Sequence, residues 1–155
     1  MLLALAGGMA TLVVVAWLFV GPSLSPAMAL PSRHVSATTE RLAVLDGETL
    51  RIGDRVVQLE GITAPARGSP CPGDDRAAAD CGAAAANALA ALLRGNAVDC
   101  TIRGHDRLLG DCFAGGTRLN RALVRAGWAR AEAAELREAE AEARVAGRGM
   151  WRNGS

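Results

Sequence analysis

The sequence predicts a small closed β-barrel of the α+β class, with helices packed at one end, and three observations lead to this prediction. Five short segments have the composition and alternation of β-strands. An Ala-rich segment with a helical period follows the third of them, and two further helical segments follow the fifth. Short antiparallel strands with a helix inserted after the third strand are typical of a barrel rather than of a parallel sheet.

Three strands are predicted within the first part of the domain. The first, at 41–45, leads into a hairpin whose strands are residues 49–52 and 55–60. The dipeptide Gly53-Asp54 supplies the turn between them, because two-residue turns of this composition join antiparallel neighbours. The hairpin is therefore the best-defined local element of the sequence.

Acidic residues precede this hairpin, and a short loop follows it. Asp46 and Glu48 place two carboxylates before its first strand, while Gly61–Pro65 ends its second strand in a loop that proline stiffens. Two carboxylates at the mouth of a strand, facing a loop, can form a metal or phosphate site. They can equally belong to an ordinary turn, and the local pattern leaves both interpretations open.

The rest of the domain is predicted to contain a long helix, a second hairpin and two shorter helices. The segment after Pro65 is irregular, because its prolines are incompatible with a helix. The further predicted elements are a helix from Asp74 and Asp75 to Arg94 that Gly95 ends, strands at 97–103 and 108–114, and helices at 120–126 and 132–146. Glu140 is placed to pair with Arg144 one turn later, and Trp151 is expected to fold back as an apolar plug.

Four cysteines make two disulfides possible, in any of three connectivities. If the second hairpin is centred between its strands, Cys100 lies opposite Cys112, where a cross-strand disulfide is geometrically reasonable. Cys71 and Cys81 would then form the other bridge and join the proline-rich loop to the first helix. Free buried thiols or zinc are the alternatives, but no pair has the Cys-x-x-Cys spacing that is typical of zinc sites.

The N-terminal region predicts export. Residues 1–32 carry no charged side chain, and the run at 2–20 is close to the roughly 20 apolar residues that span a bilayer. The sequence Pro26-Ala-Met-Ala29 has the Ala-x-Ala pattern of a signal-peptide cleavage site, although no basic residue precedes the apolar run. Residues 1–29 are therefore expected to be a signal peptide, or a membrane anchor through residues 2–20.

A polar linker is expected at 30–40, followed by one domain at 41–152. Either fate of the N-terminus places that domain outside the cytoplasm, in the periplasm, outside the cell or anchored to a membrane, where disulfides persist. The net charge of +1 excludes a general basic field for nucleic acid. The aromatic residues of the domain, Phe113, Trp128 and Trp151, are expected in the core rather than on a base-stacking surface.

An ordered set of short motifs resembles the staphylococcal nuclease (thermonuclease) family over residues 41–152. The motifs are Asp46-Gly-Glu-Thr-Leu, Gly61-Ile-Thr-Ala-Pro, the Cys81-Gly-x-x-Ala helix, Asp106-Arg107, Asn120-Arg-Ala-Leu-Val-Arg-Ala-Gly-Trp128 and Ala143-Arg with Gly149-Met-Trp151. The resemblance implies an OB-fold, a five-stranded barrel with three helices. It also implies chemistry, because active members are calcium-dependent phosphodiesterases that cut DNA and RNA.

The resemblance also assigns site positions, and most of them are substituted. Glu48 replaces a metal-binding Asp, with Asp46 beside it as a weak second ligand, and Arg107 matches a catalytic Arg that stabilises phosphate charge. Gln58 replaces the other catalytic Arg, Thr63 a second metal-binding Asp, Ala64 a Thr whose carbonyl binds metal, and Ala66 the Glu that positions water. Glu48 is one methylene longer than the Asp it replaces, and a displacement of about 1 Å can cost roughly 100-fold in rate where the geometry of a site is tight.

Two functions remain open from the sequence. The favoured one is an exported binding or scaffold module that has lost catalysis, with an envelope component or a protein as partner and nucleic acid as another possible partner. The acidic last helix is a candidate docking face. The alternative is an active calcium-dependent endonuclease that acts on DNA or RNA, in which Glu60 would compensate for the missing base.

Overall fold

The computed structural model describes residues 32–38, 41–71 and 79–152. The predicted signal peptide or membrane anchor at 1–29 lies outside these residues, as do Asp74 and Asp75. No helix within the described ranges is long and apolar enough to cross a membrane.

The described part of the chain forms nine strands and three α-helices. Their bounds are β1 (Arg33–Ala37), β2 (Leu42–Val44), β3 (Thr49–Ile52), β4 (Arg55–Leu59), β5 (Ile62–Thr63), α1 (Cys81–Leu93), β6 (Val98–Arg103), β7 (Leu108–Ala114), β8 (Thr117–Arg118), α2 (Leu119–Arg125), β9 (Arg130–Ala131) and α3 (Arg137–Val145). Single 3₁₀ turns at Ala134–Leu136 and Gly149–Trp151 flank the last helix.

One mixed sheet carries most of the fold. Its strand order is β1-β6-β7-β4-β3-β2, with β8 added beside β7 and with β4 and β7 forming the parallel pair. The sheet is curled into a half-barrel, and its two edge strands, β1 and β2, are consecutive in the chain. Strands β5 and β9 form a separate antiparallel pair. With its three helices, the molecule has the OB-like α+β fold that the sequence predicts.

The predicted linker at 30–40 is wrong in part, because Arg33–Ala37 forms β1 and pairs along its whole length with β6. Only Val35 and Ala37 of this strand pack against the core, while its other side chains are exposed. A strand with so little apolar surface has the composition of a linker.

Two helices begin later than the sequence predicts. Helix α1 begins at Cys81, where the Asp80 carboxylate caps it by accepting a hydrogen bond from the Ala83 N–H at 2.8 Å. Helix α3 begins at Arg137 instead of residue 132. The N–H groups of Glu132 and Ala133 both donate to the Gly61 carbonyl, at 2.9 and 3.0 Å, and this contact holds the preceding segment extended beside β5.

Several predicted details are confirmed. Helix α1 ends at Leu93 with Arg94 as its C-cap, and Gly95 follows with the left-handed φ of +73° that is common after helices. Cys100 lies opposite Cys112 in the β6–β7 register, and both disulfides form, with Cα–Cα distances of 4.9 Å for Cys71–Cys81 and 4.1 Å for Cys100–Cys112. Trp151 is 2% exposed and packs beside Cys81, as expected of a plug.

One aromatic residue departs from its prediction. Phe113 is 41% exposed, because Cys112 and Ala114, its neighbours in β7, take the buried face and leave Phe113 on the outer one. Trp128 is half-buried against the core.

Candidate functional site

The mouth of the β3–β4 hairpin is a tight turn packed against helix α1. The Asp46 carboxylate accepts a hydrogen bond from the Glu48 N–H at 2.9 Å, which closes the turn on itself. Gly47 has no room for a side chain, because an added Cβ would lie 2.6 Å from the Cβ of Ala85 in α1 and 2.8 Å from that of Ala64. The helix therefore fixes the position of Glu48.

Both carboxylate oxygens of Glu48 are used inside the protein. Oε1 accepts from the Gln58 side-chain amide at 2.7 Å, and Oε2 accepts from the Ala64 backbone N–H at 2.6 Å. The half-buried Glu48 side chain thus joins strand β4 to the loop that leaves the hairpin, residues 61–67, which we call the exit loop. Hydrogen bonds to an ionised carboxylate are stronger than those between neutral groups.

The exit loop presents little chemistry of its own. Thr63 is exposed and pairs with Arg130 in the short β5–β9 ladder, where the sequence predicts a loop. Ala66 is exposed and carries no functional group at the position where the family has its Glu. Arg67 is turned back to the hairpin mouth, where its Nε donates to the Leu45 carbonyl at 2.8 Å. The sequence carries no signal of this contact.

Arg107, which the resemblance assigns as a catalytic arginine, lies in the turn between β6 and β7. It is exposed in the turn before β7, whose Leu108 and Leu109 pair in parallel with Val57 and Gln58. Leu109 shares the outer face of the sheet with its partner Gln58, two residues along the chain from Arg107. Within the described residues the Arg107 side chain makes no hydrogen bond or ion pair, so it is not tied to Glu48.

The carboxylate proposed to compensate for the missing base is already paired. Glu60 accepts two hydrogen bonds from Nη1 of Arg103, at 2.8 and 2.9 Å. Both side chains line a polar cavity of ≈ 320 Å³ that Asp111 and Arg118, 2.6 Å apart, also line. Glu60 therefore neutralises an arginine beside this cavity.

Asn120 fixes the end of strand β4 and is the one fully buried polar side chain of the described residues. Its amide donates to the Glu60 carbonyl at 2.7 Å and to the Gly110 carbonyl at 3.1 Å, and its oxygen accepts from the Cys112 N–H at 3.2 Å. The sequence contains Asn120 in a motif but gives no sign of this bridging role.

The acidic residues of α3 are largely paired within the molecule. Three arginines of the α2 region form ion pairs with three glutamates of the α3 region. The pairs are Arg118 with Glu135 at 3.9 Å, Arg121 with Glu138 at 3.8 Å and Arg125 with Glu142 at 3.0 Å. On the other side of the helix, the Ala131 N–H and the Arg144 guanidinium bond to Glu140. Burial opposes ionisation of Glu140, but these partners outweigh it and lower its pKa.

The donor atoms of the site do not fit calcium. Calcium takes about six to eight oxygen ligands. Here both Glu48 oxygens accept N–H donors, one Asp46 oxygen accepts the Glu48 N–H, and Thr63 has a hydroxyl where the resemblance implies a carboxylate. Within residues 32–38, 41–71 and 79–152, no three His, Cys, Asp or Glu side chains come together in a group that could hold a metal ion.

Comparisons with known proteins agree with the fold. The family model described as "Staphylococcal nuclease homologue" matches residues 56–153. The succinoglycan biosynthesis protein ExoI of Rhizobium meliloti (strain 1021) is 33% identical over 119 residues, which cover 71% of this chain and 62% of that protein. The chain thus spans less than two thirds of that relative's length. On the family match, which covers more than half of the sequence, the chain belongs to the staphylococcal nuclease homologue family.

Proposed function

We propose that this protein is an exported binding or scaffold module that has kept the fold of the family and lost its catalysis. The observation that carries the proposal is the state of the Glu48 carboxylate. Its two oxygens bond to Gln58 and to the backbone of Ala64, at the place where a nuclease holds metal and phosphate. A side chain used in this way supports the fold rather than a reaction.

The remaining groups are too few for phosphodiester hydrolysis. The reaction requires cationic groups or metal to stabilise charge on the phosphate, and a base or metal to activate water. Gln58 is neutral and Ala66 has no functional group, while Glu60 is held by Arg103. Arg107 alone keeps a catalytic residue type, and one guanidinium stabilises charge without activating water.

Two features support a location outside the cytoplasm. Both cysteine pairs are within bonding geometry, and disulfides persist in oxidising compartments. The apolar N-terminal run and the Ala-x-Ala pattern that follows it are typical of a signal peptide and also support export.

A protein or an envelope component suits the surface better than nucleic acid does. The net charge is +1, and three arginines of the α2 region are paired with glutamates, which leaves no basic groove along that face. Phe113 is exposed, but a single aromatic side chain is not a stacking platform. The relative named for succinoglycan biosynthesis also supports a role other than nucleic-acid cleavage.

The second candidate is a calcium-dependent endonuclease, favoured by the position of Arg107, which is exposed in the turn before β7 and lies two residues from the strand partner of Gln58. A digest of circular single-stranded DNA and of RNA, with the full disulfide-bonded chain and millimolar calcium, separates the two functions. The proposal expects no cleavage above that of a mock purification. Calcium-dependent cleavage that disappears in Arg107→Ala would overturn it. This variant is a suitable control, because Arg107 is exposed and forms no hydrogen bond or ion pair with the other described residues.

A further inference from the structure

We propose that Glu48 is a clamp that holds the exit loop in one conformation without any metal. The clamp consists of the Glu48 carboxylate, the Gln58 amide and the Ala64 backbone N–H. The inference goes beyond the proposed function, because it holds whether or not the chain cleaves nucleic acid. In this proposal the Glu48 carboxylate positions the exit loop, a role that a bound cation could also perform.

Glu48 is bonded at every polar group. Besides the two carboxylate bonds, its N–H donates to Asp46 at 2.9 Å and its carbonyl accepts from the Leu59 N–H at 2.7 Å. A residue with all its polar groups satisfied has little freedom to turn toward solvent or toward a ligand. The carboxylate is therefore held in the position from which it bonds to Ala64.

The exit loop is also braced from two other sides. Arg67 donates to the Leu45 carbonyl at 2.8 Å, which joins the end of the loop to the hairpin mouth. Gly82 of helix α1 packs directly on the Ala66 carbonyl and the Arg67 nitrogen, where an added Cβ would collide with both. These contacts and the Glu48 clamp hold the loop at Ala64, Ala66 and Arg67 through groups of the protein itself.

The clamp needs no cation to position Ala64. One lone pair on each Glu48 oxygen accepts an N–H group, from Gln58 on one side and from Ala64 on the other. A cation would have to bind through the remaining lone pairs, beside the positive ends of these two N–H dipoles. Hydrogen bonds to an ionised group are among the stronger ones, so the two bonds hold the loop by themselves.

Amide hydrogen exchange of the full chain, followed by NMR, tests the clamp at the Ala64 N–H itself. We expect this amide to be protected equally in calcium and in chelator. In Glu48→Ala its exchange should rise on the order of 10- to 100-fold, the effect of losing a hydrogen bond to a charged acceptor. The Ile102 amide in strand β6 is the internal reference, because core amides report global unfolding, and the rate at Ala64 should rise more than the rate at Ile102.

Two results would overturn the clamp: slower Ala64 exchange in the native chain on addition of calcium, or unchanged exchange in Glu48→Ala. If Glu48→Ala does not fold, Gln58→Ala removes one arm of the clamp, and Ala64 exchange should still rise severalfold; an unchanged rate there would also overturn it. If the native chain cleaves DNA while its Ala64 amide exchanges at the same rate with and without calcium, the proposed function is refuted and the clamp still holds.

Discussion

Replacement of Asn120 by alanine should destabilise the protein more than any other single change of an amide side chain in the described residues. The substitution removes three hydrogen bonds at once and leaves the Cys112 N–H and the carbonyls of Glu60 and Gly110 without their buried partner. At about 1 kcal/mol for each lost bond, the free energy of unfolding should fall by about 3 kcal/mol.

This loss is a large share of the roughly 5–15 kcal/mol that stabilises a typical domain. For a domain of this size it corresponds to a decrease in Tm of about 10 °C. Urea and thermal unfolding, followed by circular dichroism with both disulfides intact, measure the two quantities. Since the transition involves one small domain, a two-state analysis of both curves is appropriate.

Asn96→Ala is the matched control. Its amide donates only to the carbonyls of Leu92 and Arg94, at 3.4 and 3.2 Å, beside solvent at the end of α1. Its loss should cost less than about 1 kcal/mol. If Asn120→Ala were no more destabilising than Asn96→Ala, the bridging role of Asn120 would be refuted, and the end of strand β4 would be positioned by other contacts.

Three further measurements test separate parts of the structure. Hydrogen bonds from the N–H groups of Ala83 and Gly68 lower the pKa of Asp80 below its ordinary value of 3.8, so its ionised form stabilises the fold above that pH. The stability difference between native chain and Asp80→Asn should shrink as pH falls below 3.8, and a constant difference would show that charge is not its cause. Arg125→Ala removes a half-exposed ion pair to Glu142 and should cost only about 0.2–1 kcal/mol in urea unfolding, whereas a much larger loss would mean that the α2–α3 ion pairs act as a network. Joint replacement of Cys100 and Cys112 by serine should cost about 2–4 kcal/mol, and an unchanged denaturation midpoint would exclude a stabilising role for this bridge.

Local sequence determines much of the fold. The Gly53-Asp54 turn and the alternation around it predict the β3–β4 hairpin, and the pairing of Cys100 with Cys112 follows from the spacing of the second hairpin. Where prediction fails, a distant partner decides. Strand β1 forms through its pairing with β6, which lies more than 60 residues later in the chain. The late start of α3 depends on hydrogen bonds to the Gly61 carbonyl, 71 residues before Glu132.

The candidate site shows the same division. The family resemblance predicts that Glu48, Gln58, Thr63 and Ala66 are substituted site positions, because residue type is visible in the sequence. It does not reveal that Gln58 and Glu48 bond to each other, nor that the second oxygen of Glu48 is taken by a backbone N–H. Every residue type except proline has a backbone N–H, so the hydrogen bond from Ala64 to Glu48 cannot be predicted from residue type.

The most direct test of the loss of catalysis is a side-by-side nuclease assay of the native chain and a restored variant, both with millimolar calcium. The restored variant carries the residue types of the active family at four positions: Glu48→Asp, Gln58→Arg, Thr63→Asp and Ala66→Glu. The shortened side chain at position 48 also releases the Ala64 clamp. We expect the native chain to leave single-stranded DNA intact and the restored variant to cleave it. Calcium-dependent cleavage by the native chain, lost in Arg107→Ala, would contradict the account.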